Sequence, residues 1–496
     1  MSKGMDSSST TVKLSHGGPA SSSVRLRRSS NEPAPRTMSW FVSHGPNAPS
    51  EDTPLVEKHK RQLHAETGLP RSLSFIIPQV FAVIVSSLLL LGVVAIGLAT
   101  RFLQYLLGYR KPIPREKPEW DDEERWKHEL LVKSPQYYAR SCGFDIIDEQ
   151  VETLDGYFLR IHHVKCLNKD ESIPDIGRGY PILIMHGLFQ SSGSFITSED
   201  RSLAFWFAQR GYDVYMGNNR AIFDMGHRTY TRYSPHFWDF NIRDLAQYDL
   251  PAMIDYVCAR SKHDKLAYIG HSQGNALAFM ALSKWYHPEL GDKISYFAAL
   301  APAVFIGPLA KQFPLKYLSK LDWKWWKLIF GTLDFVPLMK FSYDWTPATP
   351  YAALGYQMFA YLFEWKDTHW LLRRKPKMFR FTPMPVSSAA MFWWAGKDGF
   401  ATRGALFDPN KQWFDHRFPP LAIFGGDQDH LVRPHPFIDH MKNREPAVNV
   451  IRADIQSDAE VRTLDVVYRS IAIITGLRMP WNGVSMIFLV CILLMH

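Results

Sequence analysis

Gly270-His271-Ser272-Gln273-Gly274 stands between an apolar run, Lys265–Gly270 (KLAYIG), and a helix-like run, Asn275–Trp285 (NALAFMALSKW). A serine flanked in this way sits on a sharp strand-to-helix turn. The glycines let neighbouring backbone approach, and the hydroxyl is presented at the helix N-terminus. The pentapeptide alone arises often by chance, so the strand before it and the helix after it carry the weight. The surrounding chain keeps the same rhythm from about Pro118 onward. Tyr157–Val164, Tyr180–Met185, Asp213–Met216, Tyr296–Leu300 and Pro420–Phe424 read as strands. Leu203–Arg210, Leu245–Arg260 and Ala276–Trp285 read as helices. Strands separated by helices imply an α/β domain with a mostly parallel central sheet. Between Leu309 and Lys397 the rhythm breaks into aromatic helices, which suggests an inserted cap over about 305–400.

Two further segments have the chemistry that a serine nucleophile needs. His186-Gly187-Leu188 follows the strand YPILIM, where a loop supplies one backbone N–H to a developing oxyanion. Leu188 is the residue expected to supply it, and Gln273, directly after the serine, the other. Farther on, LAIFGGDQDHLV sets two carboxylates, Asp427 and Asp429, at a strand end. Serine before aspartate is the chain order for this arrangement, and one of the pair is free to cap the turn instead.

Outside this domain the chain changes character. Residues 1–74 are rich in Ser, Pro and charge and are expected to be disordered, because such a segment buries too little apolar surface to offset its ordering entropy. Arg27-Arg28-Ser29-Ser30 within it reads as part of a solvated tail. Phe75–Thr100 contains no charged residue and exceeds the roughly 20 residues that cross a hydrocarbon core. It is expected to be a transmembrane anchor rather than a core helix, with 101–123 as a linker. It lies too far along the chain for a cleaved signal peptide. Basic residues flank it on both sides, so its orientation stays open. The net charge of +9 is spread among interleaved acidic and basic residues, which argues against nucleic-acid binding. The four cysteines show neither CxxC spacing nor framework density, no glycosylation sequon occurs, and no phosphate loop, dinucleotide fingerprint or metal cluster is visible. No cofactor is expected.

At several stretches the chain resembles the acid lipase and fungal steryl ester hydrolase family, whose members have the α/β-hydrolase fold. These are WKHELLVKSPQYYARSCGFDIIDEQVETLDGYFL, MHGLFQSSGSF (Met185–Phe195), YMGNNR (Tyr215–Arg220), FWDFNIRDLAQYDLPAMIDYV (Phe237–Val257), YIGHSQG and GGDQDHLV. The similarity runs from about Glu124 to about Glu460, and the anchored N-terminal extension is similar to the steryl ester hydrolase branch. The resemblance implies that Ser272 is the nucleophile, that Asp429 and not Asp427 is the charge-relay acid, and that the aromatic insertion is a lid over an acyl and sterol site. It implies a neutral-lipid ester substrate, steryl ester or triacylglycerol, met at a membrane or lipid-droplet surface. Ala221 departs from the family, which usually has glycine there.

The third member of the triad is absent from its expected place. The family pattern puts a histidine near position 461, two residues before an aspartate; here the chain reads Val461-Arg462-Thr463-Leu464-Asp465. After Asp429 only His430, His435, His440 and His496 remain. The first three follow the acid too closely, and His440, in PFIDHMKN, reads as a surface helix residue. Val461–His496 also lacks the period of a packed terminal helix. The expectation is that the reading frame departs from the native transcript after Glu460. The rival reading is a lipid-binding or scaffold membrane protein that keeps the fold without a working triad.

Overall fold

The computed structural model describes residues 73–108, 122–364 and 371–456. The expectations for most of the N-terminal tail, for 109–121 of the linker, for the segment 461–496 and for a histidine near 461 lie outside the described residues.

The frame is one eight-stranded sheet. Its strands are β1 (Phe144–Glu152), β2 (Phe158–Cys166), β3 (Pro181–Met185), β4 (Asp213–Gly217), β5 (Leu266–His271), β6 (Ile294–Leu300), β7 (Leu421–Gly426) and β8 (Val450–Gln456). Their spatial order is β1-β2-β4-β3-β5-β6-β7-β8. β2 pairs antiparallel with both β1 and β4, while every pairing from β4 through β8 is parallel. The parallel pairings impose crossover helices, and helices cover both faces. That is why β3, β5 and β7 are continuous apolar runs, buried throughout. One face packs on α3 (Leu250–Ser261) and α4 (Gln273–Ala281) through Met253, Ile254, Leu277 and Phe279. The other packs on α2 (Leu203–Gln209) through Leu203, Phe205 and Phe207. This is the α/β-hydrolase fold.

Two strands had no counterpart in the sequence reading. β1 mixes charged with apolar residues (FDIIDEQVE) at the sheet edge, and β8 (VIRADIQ) is only half-buried. The helix after Ser272 ends at Ala281, earlier than expected.

The segment between β6 and β7, the cap, is helical. Chief among them are α5 (Trp323–Phe330), α6 (Pro337–Trp345), α7 (Ala348–Leu362) and α8 (Ser388–Ala395). Charge and hydrogen bonds tie it to the core. Glu199, in the loop after β3, accepts from Arg373, Arg374 (2.6 Å) and Lys377 (3.1 Å). Ser387 Oγ donates to the Trp238 (2.6 Å) and Phe240 (2.9 Å) carbonyls.

The apolar run forms α1 (Leu73–Leu106), extending past Thr100 because Phe102, Leu103 and Tyr105 continue it until Gly108 turns the chain at φ +70°. Among the described residues it is the helix long and apolar enough to cross a membrane.

Candidate active site

Ser272 sits between the last residue of β5 and the first of α4 with φ 50° and ψ −109°, a backbone conformation that costs an L-residue of order 1–3 kcal/mol. The surroundings over-determine it. Its N–H donates to the Leu300 carbonyl at the end of β6 (3.0 Å), and its own carbonyl accepts from Asn275 (3.1 Å) and Ala276 (3.2 Å). Gly274 must lack a side chain: a β-carbon there would lie 2.6 Å from the Met185 carbonyl oxygen. The end of β3 therefore presses directly on the turn.

That contact brings the His186-Gly187-Leu188 loop to the serine. A β-carbon on Gly187 would lie 3.2 Å from Ser272 Cβ and 2.9 Å from His271 Nδ1. Gln190 braces the loop, its Oε1 accepting from the Gly187 N–H (3.0 Å) and meeting His271 Nδ1 (2.8 Å). His186 is buried; its Nδ1 donates to the Gly187 carbonyl (2.8 Å) and its Nε2 accepts from the Asn219 N–H (3.3 Å). Burial pushes its pKa down to about 4, so the ring is neutral. Gln273, at the first position of α4, has a backbone N–H with no partner inside the helix, as the first turn of any helix does. Its side chain is fixed by Trp394 Nε1 of the cap, 3.0 Å from Gln273 Oε1.

The two carboxylates after β7 differ in environment. Asp429 is buried, and its Oδ1 accepts from the Leu431 (2.9 Å) and Val432 (3.0 Å) N–H groups. Asp427 is exposed and pairs with His435 Nε2 at 2.9 Å. Ser272 and Asp429 follow β5 and β7, which flank β6, so both lie at the C-terminal edge of the parallel strands. Ligands of open α/β sheets bind at this edge.

Each described histidine after Asp429 is engaged elsewhere. His430 Nδ1 meets Glu364, His435 meets Asp427, and His440 meets Glu445 (3.0 Å). His440 corrects the sequence reading. It is 3% exposed and stacks on Trp413 with ring centroids 3.7 Å apart, so it is a core residue of α9 (Pro434–Asn443) rather than a surface one.

Sequence reasoning also missed a buried ion-pair cluster at the end of β4. Arg220 Nη2 lies 2.6 Å from Asp249 Oδ1, and Arg220 Nη1 lies 2.7 Å from Asp155 Oδ2. Burial disfavours the guanidinium, but the two carboxylates outweigh it and raise its pKa. The next residue, Ala221, adopts a left-handed conformation (φ 68°, ψ −4°) within the core. A left-handed turn at this point, where the resemblance leads one to expect glycine, is thus made with alanine.

The sequence is similar to those of known proteins. Residues 135–199 match the family described as partial alpha/beta-hydrolase lipase region, and residues 180–322 match the alpha/beta hydrolase fold. Sterol esterase 2 of Saccharomyces cerevisiae is 33% identical over 357 residues, covering 64% of this chain and 65% of that protein. Human lysosomal acid lipase/cholesteryl ester hydrolase is 33% identical over 201 residues, 40% of this chain and 49% of that one. Rat gastric triacylglycerol lipase is 36% identical over 199 residues, 39% of this chain and 48% of that one. The chain thus spans just under two thirds of the yeast protein and about half of the animal lipases. Over these stretches the chain is similar to members of the acid lipase and steryl ester hydrolase family.

Proposed function

We propose that this protein hydrolyses the esters of neutral lipids, steryl esters or triacylglycerols, to free fatty acid through an acyl-enzyme on Ser272. The observation that carries the reading is the strained serine turn held against the Gly187 loop, under a cap rich in aromatic side chains. Ser272 Oγ attacks the ester carbonyl as a histidine takes its proton. The Leu188 and Gln273 N–H groups hold the oxyanion, and the alkoxide leaves with the proton returned by the histidine. Water then attacks the acyl-enzyme by the same route, releasing the fatty acid. Asp429 orients and stabilises the histidinium. The histidine is missing from its expected place near 461, so the chain as it stands is expected to be a weak esterase, and a native tail carrying that histidine is expected to restore full activity.

Support for a lipid substrate comes from the cap. Leu188 and Phe189 pack against its apolar clusters, and Phe189 lies 6.3 Å from Phe335 and 6.2 Å from Phe359, centroid to centroid. An ester seated at Ser272 under this roof would meet aliphatic and aromatic surface. The protein is read as associating with a membrane or lipid droplet through the long apolar helix α1.

A fluorophosphonate probe tests the reading. Rapid labelling at Ser272, absent in Ser272→Ala, together with release of fatty acid from cholesteryl oleate or triolein, is the expected result. A folded protein that binds these lipids but neither labels nor hydrolyses would favour the non-catalytic scaffold.

A further inference from the structure

The seat of α1 on the cap constrains how a helix of this kind uses a membrane. Gln79, Ala82, Ser86, Leu90, Val93, Gly97 and Arg101 recur every three or four residues and so share one helical face. That face is on the protein along its whole length. Near one end, Gln79 Oε1 accepts from the Thr332 N–H (3.2 Å). In the middle, Leu90 and Val93 join the apolar clusters of the cap. Toward the other end, a β-carbon on Gly97 would lie 3.2 Å from Tyr361 Cβ, and the Arg101 guanidinium donates to Gln357 Oε1. Ala82 and Ser86 are buried, and their small side chains let the backbones approach.

Gln79 and Arg101 are about 33 Å apart along the axis at 1.5 Å per residue, slightly more than the roughly 30 Å hydrocarbon core. A helix threaded upright through a bilayer while keeping both contacts would draw α5, α6 and α7 through the full hydrocarbon depth. Those helices carry Lys324, Lys340 and Asp344, whose burial in hydrocarbon is costly. The opposite face of α1 is exposed and wholly apolar, with Ile77, Ile84, Leu88, Leu91 and Leu98. Cap helices in contact with α1 add exposed Trp325, Leu328, Phe341 and Trp345.

We infer that α1 does not cross the bilayer but lies in the plane of one phospholipid leaflet, strapped along the cap, so that its outward face and the cap aromatics dock together on the lipid surface. The inner face of α1 is already satisfied by protein, so its apolar outer face is what remains for lipid. The arrangement holds the cap, and the serine beneath it, at the surface where neutral-lipid esters reside. It rests on the membrane-association part of the proposed function and not on hydrolysis.

Two measurements on the full chain, in a background with Cys142, Cys166, Cys258 and Cys491 replaced by serine, test it. The pairs Gln79→Cys/Thr332→Cys and Gly97→Cys/Tyr361→Cys are treated with a short bismaleimide in isolated membranes. Single cysteines just outside the helix, Ser72→Cys and Lys111→Cys, are labelled with an impermeant maleimide in sealed vesicles. Expected are cross-links at both ends of α1 and equal labelling of both flanks from the same side. Protection of one flank until detergent is added, or failure of either cross-link in protein that resists limited proteolysis like the parent, overturns the inference. Neither readout measures turnover, so such a failure leaves the labelling of Ser272 as an independent test of the enzyme.

Discussion

Gly187 and Ser272 come from different strands, yet a β-carbon added to the glycine would stand only 3.2 Å from the serine's own. The loop after β3 and the serine turn, proposed as oxyanion hole and nucleophile, are therefore packed directly on one another. Gly187→Ala should displace the loop, since the same β-carbon also meets Gln190 Oε1 at 2.8 Å. A misplacement of about 1 Å at a reacting centre costs on the order of 10²-fold in rate. Turnover of a soluble p-nitrophenyl ester should fall by that order while fluorophosphonate labelling slows in parallel. Unchanged turnover would separate the loop from the chemistry.

The strain at Ser272 makes a stability prediction of unusual sign. Ser272→Gly relieves a conformation worth about 1–3 kcal/mol against an entropic cost for glycine of about 0.5–1 kcal/mol. Ser272→Ala keeps the β-carbon and the strain. Both should lose ester hydrolysis, but the glycine variant should melt higher than the alanine variant. A calorimetric comparison of the two decides it.

Asp429→Asn should be far more damaging than Asp427→Asn. In a serine protease the corresponding amide change costs about 10⁴ in turnover because it sets the wrong histidine tautomer. Asp427 faces solvent and His435, so its amide should leave kcat within a few-fold of the parent. Steady-state kinetics on both variants checks the contrast, and equal losses would remove the assignment of the acid.

The core strands were legible because both faces of β3, β5 and β7 are buried, which writes apolar runs into the sequence. β1 escaped because an edge strand with a wet face mixes charged with apolar residues, here Asp145, Asp148, Glu149 and Glu152 among Phe144, Ile146 and Val151. For Asp427 and Asp429, residue chemistry alone left the choice open; burial of one and exposure of the other is a property of the folded loop. His440 was misread for a similar reason. Its local sequence is polar, and the aromatic surface that buries it arrives with Trp413, far along the chain. Nor does any local pattern announce that Asp249, within a helical run, closes on Arg220.

His186 predicts a pH dependence. Its ring is held neutral, with a pKa pushed down to about 4 against about 6.5 in the unfolded chain. Between those values the unfolded state binds the extra proton, so stability rises with pH across the window. The contribution is complete above about pH 6.5 and is lost as pH falls toward 4, on the order of 3 kcal/mol in total. Urea midpoints measured from pH 7 to pH 4 should decline, and His186→Gln should flatten that decline. An identical slope in the variant would assign the acid sensitivity to other groups.

The last prediction concerns the clasp between cap and core. Glu199 is 2% exposed, adopts a left-handed φ of 59°, and faces Arg373, Arg374 and Lys377. Burial raises its carboxyl pKa, but Arg374 and Lys377 outweigh that and hold it below the usual range. Lys377 also meets Glu129, and Arg373 and Arg374 both converge on Glu199. Removing one member of a buried pair leaves an uncompensated charge, typically at a cost of about 3–5 kcal/mol. Glu199→Ala should therefore loosen the segment around residues 373–381 and destabilise the protein by that order. Because the cap and not the sheet loses its tie, limited proteolysis should cut within the cap before the global melting transition. Glu199→Asp, which keeps the charge at a shorter reach, should recover part of the loss. If Glu199→Ala lowers the melting temperature without any earlier cut in the cap, the clasp belongs to the core as a whole and does not hold the cap in particular.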